Sequence, residues 1–323
     1  MTAHALNHIP IGHDEVMKQA VEAFASGRMH HAWLLAGIEG IGKATLAWHI
    51  AYHALSSGAA KMNPQDQTAR LMMAGAHPDL LVVGRAVDEK TGDTRKVIVV
   101  EDTLKIASFL RTTSAHGGWR VVIVDEAHAL NRHAQNAILK ILEEPPAHVL
   151  ILMTATTPGA MLPTIRSRCR VVPLAPLEKG AMTTILSRLA PEISGTELES
   201  LIGLSSGSVG FALKIIRSET LPLYDELLSL LAGQDMDIAR LHKLADQISR
   251  KADAESFEVV TALLTDRMRQ SVRAAALAGQ GGVDQALQLW DKTRATFALA
   301  ETANLDRKLA FVNAVSESYK VKC

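Results

Sequence analysis

The strongest chemical signal in the chain is the run Gly37-Ile38-Glu39-Gly40-Ile41-Gly42-Lys43-Ala44-Thr45. It matches G-x-x-x-x-G-K-[ST] up to the last position, where Ala44 stands in place of a hydroxyl. In such a loop the backbone N–H groups wrap a phosphate at a helix N-terminus, and the lysine reaches the terminal phosphates as a flexible point charge. Gly37, Gly40, Gly42, Lys43 and Thr45 are therefore candidate nucleotide-binding residues. The bland reading is a surface lysine in a chance glycine turn. It loses because an apolar strand-like segment (Ala32–Ala36) precedes the loop and a helix-forming one (Leu46–Ala51) follows it.

Asp125 and Glu126 close the β-branched run Arg120-Val121-Val122-Ile123-Val124, at the strand end where ligands bind in open parallel sheets. One carboxylate there can hold Mg²⁺ through water, and the other can orient an attacking water. A capping pair is the alternative, and the upstream loop tips the balance to a site. Thr156 follows another apolar run on the same expected rim, where a hydroxyl can sense a γ-phosphate, although adjacent threonines are commonly turn residues. Arg166-Ser167-Arg168-Cys169-Arg170 clusters guanidinium groups. A planar fork of this kind can stabilise phosphoryl transfer in a neighbouring subunit; locally paired surface arginines are the default.

Of the thirteen histidines, His30-His31 and His49/His53 come nearest to ligand spacing. They lack acidic partners, so packed or solvated rings are expected and no metal site is assigned. Two cysteines, Cys169 and Cys323, make neither a disulfide framework nor a Cys-rich zinc site, and Cys169 reads as a small buried hydrophobe.

The elements that must position these groups follow from periodicity. A helix is expected over 12–27, then the strand, loop and helix of the glycine motif to about Leu55. Ser56–His77 reads as an insertion with a short helix near Ala69–Ala74. Asp79–Val83 is a strand, Asp88–Asp93 a hairpin turn, and Lys96–Val100 a further strand. Glu101–Thr112 is a helix, Arg120–Val124 a strand buried on both faces. Asn131–Glu144 is an amphipathic helix stopped by Pro145-Pro146. Val149–Met153 and a strand ending at Pro173 complete a doubly wound α/β core. After Pro176 strand signals cease. Leu177–Leu189, Thr196–Leu204 and Ser208–Ile216 form a small helical unit, and amphipathic helices continue from Leu221, the last with Leu305, Leu309 and Val312 on one face. The expected division is 1–175, 176–220 and 221–323.

Composition sets the outer limits. At 323 residues and 48% hydrophobic content the chain can bury more than one core. Equal numbers of basic and acidic residues, 34 each, argue against a chain that coats nucleic acid by itself. No apolar run reaches spanning length and Met1-Thr2-Ala3-His4 does not open a signal peptide, so a cytoplasmic protein is expected.

Arg120 to Leu130, the run Asn136-Ala-Ile-Leu-Lys-Ile-Leu-Glu-Glu-Pro-Pro and Ser167-Arg168-Cys169 together resemble the bacterial clamp-loader branch of the AAA+ ATPases. His31–Leu35, His77-Pro78-Asp79 and Asn304–Lys308 add to the likeness. The resemblance implies an AAA+ RecA-like parallel sheet with helices on both faces, then a helical lid and an all-α collar. It also implies a hetero-pentamer of gamma/tau and delta subunits that loads a sliding clamp onto primed DNA. Three departures separate this chain from the family's motor subunits. Ala44 removes the magnesium hydroxyl, and Thr45, turned about 100° around the helix, does not replace it. Gly210 stands where motors carry a sensor arginine. The Ser56–His77 insertion lacks the usual four zinc cysteines. ATP and Mg²⁺ are thus expected to be held weakly or not at all, with no zinc. Losing one hydrogen bond to a charged group costs only ~1.5–3 kcal/mol, so residual affinity survives this expectation. Arg168 is then expected to act in trans, with Asp125 and Glu126 vestigial or weak. An active gamma/tau-type ATPase is the alternative within the family. A DEAH helicase, suggested by Asp125-Glu126-Ala127-His128, lacks room for two RecA-like domains beside the helical half.

Overall fold

Ala32–Ala36 forms β1 with every residue buried, as its uninterrupted apolar run requires. It lies inside a computed structural model that describes residues 10–321, apart from 57, 60–61, 88–93, 116, 234, 251–253, 280 and 303–305. Strands β2 (Leu80–Val83), β3 (Arg120–Val124), β4 (Val149–Ala155) and β5 (Arg170–Pro173) join β1 in a five-stranded sheet of order β2-β3-β4-β1-β5. All pairings are parallel, and Ala36 lies in register with Ala155 on one side and Pro173 on the other.

Alternate strand residues face opposite layers. Trp33, Leu35, Val121, Ile123, Leu150 and Leu152 pack with α1 (Asp14–Ala25), α2 (Lys43–Leu55) and α3 (Gln67–Met73). Leu34, Val122, Val124, Ile151 and Met153 pack with α4 (Val100–Arg111), α5 (Arg132–Glu143) and α6 (Pro163–Arg166). Each fully buried Leu, Ile or Val contributes roughly 1.5–3 kcal/mol, so this two-sided core holds the strand ends in place. Asp66 and Asn131 start α3 and α5 by accepting from the N–H groups of Ala69 and Ala134. Helices α7 (Lys179–Leu189), α8 (Gly195–Leu204) and α9 (Val209–Arg217) follow.

The chain divides into two units, Met1–Gly210 and Phe211–Cys323, with the boundary in the first turn of α9. The second continues through α10 (Leu221–Ala232), α11 (Ile238–Ile248), α12 (Ala254–Leu277), α13 (Val283–Thr302) and α14 (Arg307–Val321). Its core includes Leu244, Ile248, Phe257 and Phe311, with Phe297 edge-on to Phe257. Among the described residues no single helix is long and apolar enough to cross a membrane.

Two local expectations fail. Lys96–Val100 is not a strand: only Ile98 pairs, in an isolated bridge to Leu130, and Val100 already begins α4. Ile98 satisfies its backbone by donating to Ala129 and accepting from Asn131, while Asp102 turns back to the Val99 N–H and starts the helix. In α14 the buried face is Ala310, Phe311, Ala314 and Val315, whereas Leu309 is 58% exposed. The aromatic ring of Phe311 sets the phase of that helix. The expected turn at Asp88–Asp93, and Met1–His4, Gln280, Asn304, Leu305 and Cys323, lie outside the described residues.

Candidate nucleotide site and arginine corner

The rim of the sheet gathers the residues that the motifs single out. Gly37, Asp125 and Thr156 directly follow β1, β3 and β4, whose ends are in register or nearly so. Gly40 and Gly42 have positive φ (76° and 96°), the left-handed backbone a tight loop into α2 requires. Gly42 is the residue before α2, so the loop does meet a helix N-terminus. Thr45 sits half-buried in the first turn.

The loop's carbonyl oxygens are all engaged by groups of this chain. Lys43 Nζ donates to Gly37 O at 2.9 Å and Ile38 O at 2.7 Å. Ser208 Oγ donates to Glu39 O at 2.7 Å, the Gly210 N–H to Gly40 O at 2.9 Å, and His13 Nε2 to Ile41 O at 2.7 Å. The contact between Gly40 and Gly210 leaves no room for side chains: a Cβ on Gly40 would lie 2.8 Å from Gly210 Cα, and one on Gly210 2.7 Å from Gly40 Cα. Glycine at 210 is thus a steric requirement of this contact. Any side chain at 210 would push the start of α9 off the loop.

The acidic pair is tied down too. Thr154 Oγ1 donates to Asp125 Oδ1 at 2.5 Å and accepts from the Glu126 N–H at 2.9 Å. Both oxygens of Glu126 are held by Arg85, from Nε at 2.5 Å and Nη2 at 2.9 Å. Glu126 itself has φ of 54°, which turns its side chain out of the strand direction. Thr156 Oγ1 pairs with His128 Nε2 at 3.0 Å. Burial lowers the Lys43 pKa, against the pull of Asp125, Glu39 and Glu126, and raises that of Asp125, against the Thr154 hydrogen bond. Burial also lowers the His128 pKa. Among the described residues no three His, Cys, Asp or Glu side chains converge as metal ligands. His31 instead donates to Leu142 O, and its ring stacks on His30.

A magnesium–nucleotide site asks for a hydroxyl after the lysine, a lysine free to turn to phosphate, and an available water-orienting carboxylate. Position 44 is alanine, Lys43 is bonded to the loop, and Glu126 is bidentate to Arg85. The alanine at 44 and the Arg85–Glu126 pair do not fit the magnesium part of that group, whereas Lys43 retains one N–H donor for a phosphate.

Arg168 stands in the turn after α6. Its Nη1 donates to Thr164 O at 3.0 Å and its Nη2 pairs with Glu143 Oε1 at 3.0 Å, with 36% of the side chain exposed. Neighbouring Cys169 is buried, which pushes its thiol pKa up to about 12 and leaves it an inert anchor. Arg170 lies over the Trp33 ring, 4.5 Å from its centroid. Sequence patterns missed Arg85, His13, Thr154, Ser208 and Glu143, whose partners lie 25 or more residues away.

The parallel sheet, the glycine loop at a helix N-terminus and the helical continuation define an AAA+ fold. A Thermotoga maritima DNA polymerase III gamma subunit-related protein shares it, with a TM-score of 0.50 at 18% identity over 96% of this chain and 99% of that one. A family model described as DNA polymerase III, delta subunit, matches residues 12–178, and the chain belongs to that family, as a subunit of the delta-prime type. DNA polymerase III subunit delta' of Pseudomonas aeruginosa is 36% identical over 197 residues, 59% of this chain and 58% of the relative. The Escherichia coli delta' subunit is 32% identical over 222 residues, 67% and 63%. The tau subunit of Salmonella typhimurium is 34% identical over 161 residues, 49% and 24%. The chain spans less than two thirds of the length of these relatives.

Proposed function

We propose that this chain is a clamp-loader subunit that turns over little or no nucleotide itself and lends Arg168 to the ATP site of an adjacent motor subunit. In that role it works in the cytoplasm, in a hetero-pentamer with gamma/tau and delta subunits. The assembly opens a sliding clamp and places it on primed DNA. Arg168 stabilises charge that develops on the transferring phosphoryl group, a task suited to an always-charged planar fork. The helices from Leu221 onward form the collar, and those between 176 and 220 the lid.

The observation that carries this reading is the contrast between the two cations. Lys43 is buried and gives two of its three N–H donors to its own loop, whereas Arg168, though paired with Glu143, keeps a partly exposed guanidinium. The names of the relatives, delta' foremost but also tau and gamma, support the same assembly. The alternative of an active gamma/tau-type motor draws support from the intact Gly37–Lys43 segment, but it must do without a hydroxyl at 44. Two measurements test the proposal together. The isolated chain is expected to show no DNA-stimulated ATP hydrolysis, and it is expected to co-purify with gamma/tau and delta subunits. Robust turnover by the chain alone would favour the motor reading.

A further inference from the structure

We infer that Glu143 is a positioning residue for Arg168, holding the guanidinium in the orientation in which it meets a neighbour's nucleotide. The inference rests on the reading of Arg168 as a group that acts in trans. It gives a role to one glutamate of the Asn136–Pro146 run, which neither the loop nor the acidic pair uses.

The two side chains meet because two short elements are pinned to each other. Glu143 is the last residue of α5, whose end is fixed by the His31 bond to Leu142 O at 3.1 Å. Buried Gln135, also on α5, donates to Leu130 O at 2.9 Å and accepts from the Leu162 N–H at 2.7 Å. It thereby anchors the start of α6. Ile165 within α6 is fully buried and its carbonyl accepts from Cys169 Sγ at 3.0 Å, so the backbone on either side of Arg168 is fixed. On this frame Glu143 takes one terminal nitrogen of Arg168 and the Thr164 carbonyl takes the other, each at 3.0 Å.

A guanidinium has five N–H donors in a rigid fork. The Glu143 ion pair on Nη2, with the Nη1 contacts to Thr164 O and Ser167 Oγ (3.5 Å), restrains its plane and leaves other donors for a phosphate oxygen. A long, rotamer-rich side chain ordered beforehand loses less freedom when it engages a transition state. Both members of the pair stay partly exposed, at 36% and 48%, which keeps the fork reachable from outside. Glu144, the next residue, is the C-cap of α5, and among the described residues it forms no such pair. The adjacent glutamates therefore supply their own control.

The test uses the complex reconstituted with gamma/tau and delta subunits, measuring kcat and KM for ATP with primed DNA present. Glu143→Ala is expected to lower kcat about three- to five-fold, the range of a partly exposed ion pair, with KM little changed. Glu143→Gln, which keeps an oxygen acceptor, is expected to recover most of the loss, and Glu144→Ala to match the wild type. If Glu143→Ala leaves kcat unchanged while Arg168→Ala lowers it, Glu143 positions nothing and the trans-acting arginine stands. A rise in kcat would make Glu143 a sequestering group and overturn the inference, as would a loss that merely tracks failed assembly on gel filtration. If Arg168→Ala itself has no effect, both the trans reading and this inference fall.

Discussion

The phosphate loop and the Arg168 turn each place a cation beside backbone carbonyls, yet they leave those cations in opposite conditions. Lys43 is buried, its pKa lowered by that burial, and it donates to two carbonyls of the loop it belongs to. Arg168 makes one ion pair, one carbonyl bond and a long bond to Ser167 Oγ, and remains 36% exposed. A buried cation satisfied by its own chain stabilises a local shape. A partly exposed one on a fixed frame can be satisfied by someone else. On the proposed reading the glycine loop serves as a structural joint and the chemistry lies at the Arg168 edge.

The contrast can be broken from either side. Ile165→Ala opens a cavity under the Arg168 turn and is expected to cost about 2–5 kcal/mol, the range for truncating a fully buried aliphatic side chain. Chemical denaturation would read this directly, and a loss under about 1 kcal/mol would mean that the turn is not packed as described. Gly210→Ala drives a methyl into the Gly40 backbone and is expected to cost about 1–3 kcal/mol. Faster backbone hydrogen exchange in Gly37–Gly42 should accompany it. Unchanged exchange would show that the start of α9 does not hold the loop. Ser208→Ala removes one hydrogen bond to Glu39 O, worth about 1 kcal/mol, and should act on the same exchange signal less strongly. Because Ser208 and Gly210 share one contact, combining their substitutions should cost less than the sum.

The smallest effect concerns pH. Burial raises the Asp125 pKa, so the folded chain holds that proton more tightly than the unfolded chain does. Stability therefore falls as pH rises from the ordinary carboxylate range through the raised value, and the cost is fully present above it. Asp125→Asn removes the charge while keeping an acceptor for Thr154. Thermal melts should show a modest gain in Tm at neutral pH that disappears as pH falls toward about 4, the ordinary carboxylate value. A gain that persists at low pH would assign it to something other than the carboxylate.

Much of the fold was readable because its signals are local. Uninterrupted apolar runs gave β1 as a strand, β3 and β4 as buried strands, and helical spacing with Pro145-Pro146 bounded α5. The positions of Gly37–Thr45, Asp125, Glu126 and Arg168 followed from those elements. Their partners did not. Arg85 reaches Glu126 across 41 residues and Ser208 reaches Glu39 across 169, and no periodicity encodes such pairs. The same limit explains Lys96–Val100, where β-branched residues suggested a strand but the loop before α5 took the hydrogen bonds of Ile98. It also explains α14, where three leucine-like positions suggested one face and Phe311 buried another.

The central claim is that the working cation is Arg168 and not Lys43. The most direct test substitutes each with alanine in the reconstituted complex and measures ATP turnover with primed DNA. Arg168→Ala is expected to reduce hydrolysis at the site it serves by roughly 10³-fold, as loss of a trans-acting arginine does. Lys43→Ala should leave turnover within about two-fold of the wild type, as for a residue that contacts no transition state. A large loss with Lys43→Ala and none with Arg168→Ala would contradict the account.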